Sequence, residues 1–86
     1  MTELQPLWID VRTQEENQAR SYPGDRCIPH ESIQQLAQED LDKAQPIYLY
    51  CRTGRRSGIA KQDLEGLGFS NVHNAGSFED MFDQRG

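Results

Sequence analysis

The chain has 86 residues, 35 % hydrophobic and 27 % charged, with 14 acidic side chains against 9 basic ones and a net charge of −5. A chain this short buries roughly 60–65 % of its unfolded surface and holds one modest core, so a single domain over residues 1–86 is expected. The acidic balance excludes general nucleic-acid binding, which needs a basic face. No apolar run approaches the ~20 residues of a membrane span.

Met1 leads into "TELQPLWID" with no basic start and no long apolar stretch, so no signal peptide is visible and the chain as it stands reads as cytoplasmic. A mature periplasmic domain given an artificial start methionine would read the same way. Cys27 and Cys51 are too few for a disulfide framework. With two histidines far apart they form no recognisable zinc pattern, and no metal is expected.

In chain order, "LWIDV" (7–11) is the first predicted strand, a nearly continuous apolar run of the kind covered on both faces. Thr13 and Glu16 then stand at capping-box spacing and open a helix. After the Pro23-Gly24 turn, "RCI" (26–28) reads as a short strand, and Ser32 with Gln35 repeats the capping-box spacing for a second helix. Beyond Pro46, "IYLYC" (47–51) is another apolar strand. A helix opened by Ser57-Gly58 follows, with Ala60, Leu64 and Leu67 on one face and Gly68 to end it. "NVHN" (71–74) is the last strand, and Ser77 with Asp80 is a weaker cap for a final helix.

Strands alternating with helices predict an α/β fold: a small parallel sheet of about four strands with helices on both faces, joined by right-handed crossovers. Ligands of such sheets bind at the carboxyl ends of the strands. Cys51 stands at one of those ends, followed by "RTGRRSG" (52–58).

Taken separately, a cysteine closing an apolar strand is an inert core residue and an arginine cluster is a solvated face. Their coincidence at a strand–loop–helix junction points elsewhere. The loop amides can curl inward as an anion-binding nest, with Gly54 supplying the conformational freedom. The helix N-terminus adds about half a positive charge. Arg52, Arg55 and Arg56 place three of the nine basic residues beside the sulfur. All of these favour thiolate, so Cys51 is expected to titrate below ~8.5 and to act as a nucleophile.

"WIDVR" (8–12), "YPGDRCIP" (22–29), "YCRTGRRSG" (50–58) and "VHNAGSFEDM" (72–81) together resemble the single-domain rhodanese sulfurtransferases, most of all the small phage-shock-protein type. The resemblance implies a single rhodanese-like domain and sulfane-sulfur transfer from thiosulfate to cyanide or a thiol through a Cys51 persulfide. By the same match the loop from Arg52 through Thr53, Gly54, Arg55 and Arg56 to Ser57 holds the substrate, with Arg55 and Arg56 attracting the anionic donor. No cofactor is implied. The partners implied are a small anionic donor and a cyanide or thiol acceptor, with a thiol-bearing protein as a further candidate. Three features depart from the family pattern: Ser21 where a histidine often precedes Pro-Gly, Ser77 where a second glycine is common, and no further N-terminal strand.

Asp10 and Arg12 are expected to form ion pairs that support the loop from the neighbouring strand. Cys27 is expected to be buried and inert, His30 and His73 to lie at the surface or at strand ends, and Trp8, Tyr48, Tyr50 and Phe78 to pack. Two other functions compete. A cysteine-dependent phosphatase or arsenate reductase needs an arginine six residues after the cysteine, where this chain has Ser57. A non-catalytic rhodanese-like interaction module commonly loses the cysteine, which this chain keeps.

Overall fold

A computed structural model describes residues 5–85. Four strands, β1 (Leu7–Asp10), β2 (Arg26–Cys27), β3 (Ile47–Cys51) and β4 (Val72–Ser77), form one parallel sheet in the order β2-β1-β3-β4. Between them run helix α1 (Gln14–Ala19), a 3-10 helix (His30–Gln38) and helix α2 (Arg55–Gly66), and helix α3 (Phe78–Arg85) follows β4. The parallel sheet with surrounding helices is the architecture that the sequence predicts. Among the described residues, no helix is long and apolar enough to cross a membrane.

Residues alternate between the two faces of a strand, so β1, β3 and β4 each feed two cores. Ile9, Ile47, Leu49, Cys51 and Val72 pack with Ala60 and Leu64 of α2 and with Ile33 and Leu36 of the 3-10 helix. Tyr50, Ala75, Phe78 and Met81 make the core beneath α3, with Trp8 packed against it. Trp8, Tyr48 and His73 sit opposite one another in register and stack across three strands, at centroid distances of 4.6 and 4.8 Å.

The caps at Thr13–Glu16 and Ser77–Asp80 both form, each with side chain and backbone bonded in both directions. Ser32–Gln35 does not. The 3-10 helix has already begun at His30, because Pro29 precedes it in extended geometry and the Ser32 amide bonds the Pro29 carbonyl. Helix α2 also starts earlier than predicted, at Arg55 rather than Ser57, since Gly54 adopts φ 93° and serves as the N-cap. At its far end, the Phe69 and Gly68 amides bond the Leu64 and Glu65 carbonyls, both at 3.1 Å. That closure turns Phe69 into the core and leaves Leu67, expected there, 38 % exposed.

Strand β4 runs three residues past its predicted end. Leu49 pairs with Asn74 but Tyr50 pairs with Gly76, so Ala75 is an extra residue, a β-bulge beside the carboxyl end of β3.

A buried polar latch ties α3 to the loop before β2. The Tyr50 hydroxyl donates to Asp25 at 2.6 Å, and Arg85 donates to both Asp25 oxygens while lying over the rings of Tyr22 and Trp8. Burial and the bond to Asp25 push the Tyr50 phenol above its ordinary value. Removing Asp25 strands a guanidinium and a hydroxyl, whereas removing the hydroxyl leaves the ion pair intact. In urea unfolding, Asp25→Ala is expected to cost about 3 kcal/mol and Tyr50→Phe about 1 kcal/mol. Equal costs would show that the latch does not depend on the charge pair.

Candidate active site

Cys51 ends β3, and three residues, Arg52 to Gly54, separate it from α2. Gly54 turns the chain sharply, with its Cα side against Gly76 of β4; a Cβ there would come within 3.3 Å of the Gly76 Cα. The turn aims the loop at the sulfur. The Gly54 amide donates to Cys51 Sγ at 2.9 Å, and the hydroxyl of Ser57, in the first turn of α2, lies 3.6 Å away. Cys51 and Ser57 are both 0 % exposed.

Burial pushes the Cys51 thiol up, but the Ser57 hydroxyl and the amides of Ser57, Thr53 and Gly54 outweigh it and bring the thiol below the ordinary cysteine value. Hydroxyl and amide donors lead this lowering. The arginines, given a share in it from the sequence, surround the site differently from one another. Arg56 is held by Glu16 of α1, with contacts of 2.7 and 3.1 Å. Arg52 and Arg55 are exposed and make no ion pair among the described residues. The loop thus presents two free guanidinium groups, not three. Thr53 is exposed, and its Oγ1 accepts from the Arg55 amide at 3.4 Å.

Asp10 and Arg12 pair as expected, with Arg12 Nε and Nη2 donating to the Asp10 carboxylate at 2.9 and 2.8 Å in a nearly solvent-free setting. Asn17 of α1 also donates to Asp10 at 3.0 Å, and Arg12 reaches the Arg20 carbonyl. The pair therefore fastens α1 across the end of β1. Its link to the loop passes through that helix, by way of Glu16 and Arg56.

A cleft of about 250 Å³ opens between α1 and the start of α3, lined by Arg12, Glu16, Arg20, Arg52, Phe78 and Glu79. Arg12 and Arg20 stack on the Phe78 ring at 4.7 and 4.5 Å. Arg52, the neighbour of Cys51, joins the cleft to the loop. Cys27 lies apart, half-buried, with its thiol directed at the Arg12 carbonyl and pushed up by burial and by Asp10.

Sequence reasoning missed Asn74. Its Oδ1 accepts from Ser57 at 2.6 Å and from the Gly76 amide at 2.9 Å, while its Nδ2 donates to the Gly54 carbonyl at 2.9 Å. One side chain on β4 thus holds both the loop and the first turn of α2. The available signal was an asparagine within a strand pattern and a glycine two residues on, the spacing of an Asx turn.

This strand–loop–helix cradle around a cysteine, on a parallel sheet, places the chain in the rhodanese-like family, whose sequence model, described as "Rhodanese-like domain", matches residues 1–82. Among its relatives is thiosulfate sulfurtransferase PspE of Escherichia coli strain K12, 37 % identical over 75 residues that span 86 % of this chain and 72 % of that protein. A putative sulfur carrier protein of Bacillus subtilis strain 168, YrkF, is 36 % identical over 66 residues, 77 % of this chain and 35 % of that one. The solved structure described as a rhodanese with anions from E. coli superposes with a TM-score of 0.82 at 36 % identity, covering 88 % of this chain and 91 % of the other.

The bond from Arg56 brings Glu16 from its ordinary 4.5 down to about 2, against the opposing effect of burial. A carboxylate depressed in the folded state stabilises it fully above its unfolded pKa, and that contribution is lost as the pH falls through the folded value. Stability supplied by this pair is therefore complete above about pH 4.5 and lost toward about pH 2. Glu16→Gln is expected to be less stable at neutral pH and to lose less on acidification across that window, as read by thermal unfolding against pH. A variant with the parent's acid slope would show that the pair contributes nothing.

Proposed function

We propose that residues 1–86 form one rhodanese-like domain that moves sulfane sulfur from thiosulfate to cyanide or a thiol through a persulfide on Cys51. The observation that carries this reading is the buried thiol with amide and hydroxyl donors directed at it, which favours a sulfur anion. The relatives named for sulfurtransfer and sulfur carriage agree with it.

In the first step the Cys51 thiolate attacks the outer sulfur of thiosulfate. A Cys–S–S bond forms as the S–S bond of thiosulfate breaks, and sulfite leaves with the bonding pair. The persulfide keeps one negative charge, and the amides of Thr53, Gly54 and Ser57 face it. In the second step cyanide or a thiolate attacks the terminal sulfur, and Cys51 leaves as thiolate while thiocyanate or a new persulfide departs. Both displacements balance without an external oxidant, reductant or metal. They form a two-step covalent cycle with ping-pong kinetics.

Arg52 and Arg55 draw the dianionic donor toward an otherwise acidic protein, an attraction that added salt weakens. Arg56, already paired, contributes chiefly by fixing α1 to α2. Arg52, which lines the cleft and adjoins Cys51 in the chain, sets the cleft as the side from which the donor approaches the buried sulfur. A hydroxyl at Ser57 fills the place where a phosphatase-like loop needs its arginine, which disfavours that reaction. A protein thiol is a further acceptor for this persulfide.

Mass spectrometry after exposure to thiosulfate tests the proposal. The parent protein and Cys27→Ser should each gain one sulfur atom (about 32 Da), lost again on adding cyanide, and Cys51→Ser should gain none. A sulfur retained in Cys51→Ser, or none gained by the parent, would overturn it.

A further inference from the structure

We propose that Asn74 is a positioning residue that sets the reactivity of Cys51 by competing with its sulfur for the single proton of the Ser57 hydroxyl. The inference rests on the reading of Cys51 as the nucleophile, and it assigns a role to a side chain that does not touch the sulfur.

Ser57 Oγ has three acceptors in reach and one hydrogen to give: Asn74 Oδ1 at 2.6 Å, the Gly54 carbonyl at 3.0 Å and Cys51 Sγ at 3.6 Å. The Gly54 carbonyl already accepts from Asn74 Nδ2 at 2.9 Å and from the Gly58 amide at 3.1 Å, so both its lone pairs are engaged. The contest is therefore between Asn74 and the sulfur. Asn74 cannot flip its amide to withdraw. Flipping would set Nδ2 against the Gly76 N–H and Oδ1 against the Gly54 carbonyl, breaking two good bonds.

The distances favour Asn74 while the sulfur is neutral. An ionised sulfur is the stronger acceptor, because charge-assisted bonds are about twice as strong as neutral ones, and a thiolate draws the proton over. Once a second sulfur is attached, the charge moves outward to the terminal atom and the hydroxyl returns to Asn74. A neutral amide suits this exchange: it holds the hydroxyl in place without binding its proton as tightly as a carboxylate would. The other charged groups near Cys51 are the Arg56–Glu16 pair between α2 and α1, the exposed Arg52 and Arg55, the Asp10–Arg12 pair on the adjacent strand, and Asp80 of α3, which caps Ser77 opposite Cys51. Asn74 makes no hydrogen bond to any of them.

The competition predicts opposite effects for two variants that both delete the Nδ2–Gly54 bond. Asn74→Asp puts a carboxylate on the hydroxyl, so the pH midpoint for alkylation of Cys51 should rise by about one unit. Asn74→Ala frees the proton for the sulfur, so the midpoint should fall by roughly half a unit, about threefold more thiolate at a pH well below it. Both are measured in a Cys27→Ser background, with circular dichroism to check folding. A merely structural clamp would shift both variants the same way, and that result, or no shift in either, would overturn the proposal.

Should Asn74→Asp fail to fold, Asn74→Ala alone decides when measured with and without Ser57→Ala. The fall should occur with Ser57 present and vanish in the Ser57→Ala background. A fall of equal size in both would overturn the role. Alkylation needs no sulfur donor, so a failure of the thiosulfate reading would appear separately, as a parent protein that gains no sulfur while these midpoints still move.

Discussion

Gly54 packs against the backbone of Gly76, and both residues hold a left-handed conformation that strains any side chain. Both adopt φ 93°; a Cβ on Gly54 would meet the Gly76 backbone at 3.3 Å, and one on Gly76 would meet an Asp80 oxygen at 2.8 Å. This contact brings the three-residue loop after β3 against the bulged end of β4, and most of the site follows from it. It starts α2 at Arg55, which puts Ser57 in the first turn, facing the sulfur. It turns the Gly54 amide onto Cys51 and the Gly54 carbonyl onto Asn74. A left-handed turn also costs a non-glycine residue roughly 1–2 kcal/mol before any clash is counted.

With the loop so placed, nearby dipoles do more for the thiol than distant full charges. Donors at contact distance inside a solvent-free pocket act through little dielectric screening, whereas exposed guanidinium groups act through water and salt. Arg56 stands between these extremes, drawn into a pair with Glu16 that anchors the helix over the end of β1. The arginine cluster is thus divided in its work. One member organises the scaffold, and the two exposed members give the mouth of the site a sign opposite to that of the whole chain.

Much of this was legible in the chain itself. Strand β3 runs from Ile47 to Cys51 as its apolar run indicates, and both Thr13–Glu16 and Ser77–Asp80 form the caps that their spacing implies. Such features depend on residues a few positions apart. The Ser32–Gln35 spacing misled because Pro29 had already set the start of the 3-10 helix. The start of α2 was misplaced because the left-handed turn at Gly54 depends on β4, more than twenty residues away. Asn74 and the Arg56–Glu16 pair were missed for the same reason, since their partners lie 17 to 20 and 40 residues distant and meet only when the sheet assembles. The bulge at Ala75 leaves one local trace, the glycine two residues after Asn74 whose amide bonds the Asn74 side chain, but that spacing does not name the distant partners.

The central claim is that amide and hydroxyl donors, rather than arginine charge, keep Cys51 reactive. Alkylation rate against pH tests it most directly, in a Cys27→Ser background at fixed ionic strength. Three proteins are compared: the background itself, Ser57→Ala, and Arg52→Ala combined with Arg55→Ala. The account predicts a midpoint about one unit higher in Ser57→Ala and one within roughly 0.3 units of the background in the double arginine variant. A midpoint raised by loss of the arginines and unmoved by loss of the hydroxyl would contradict it.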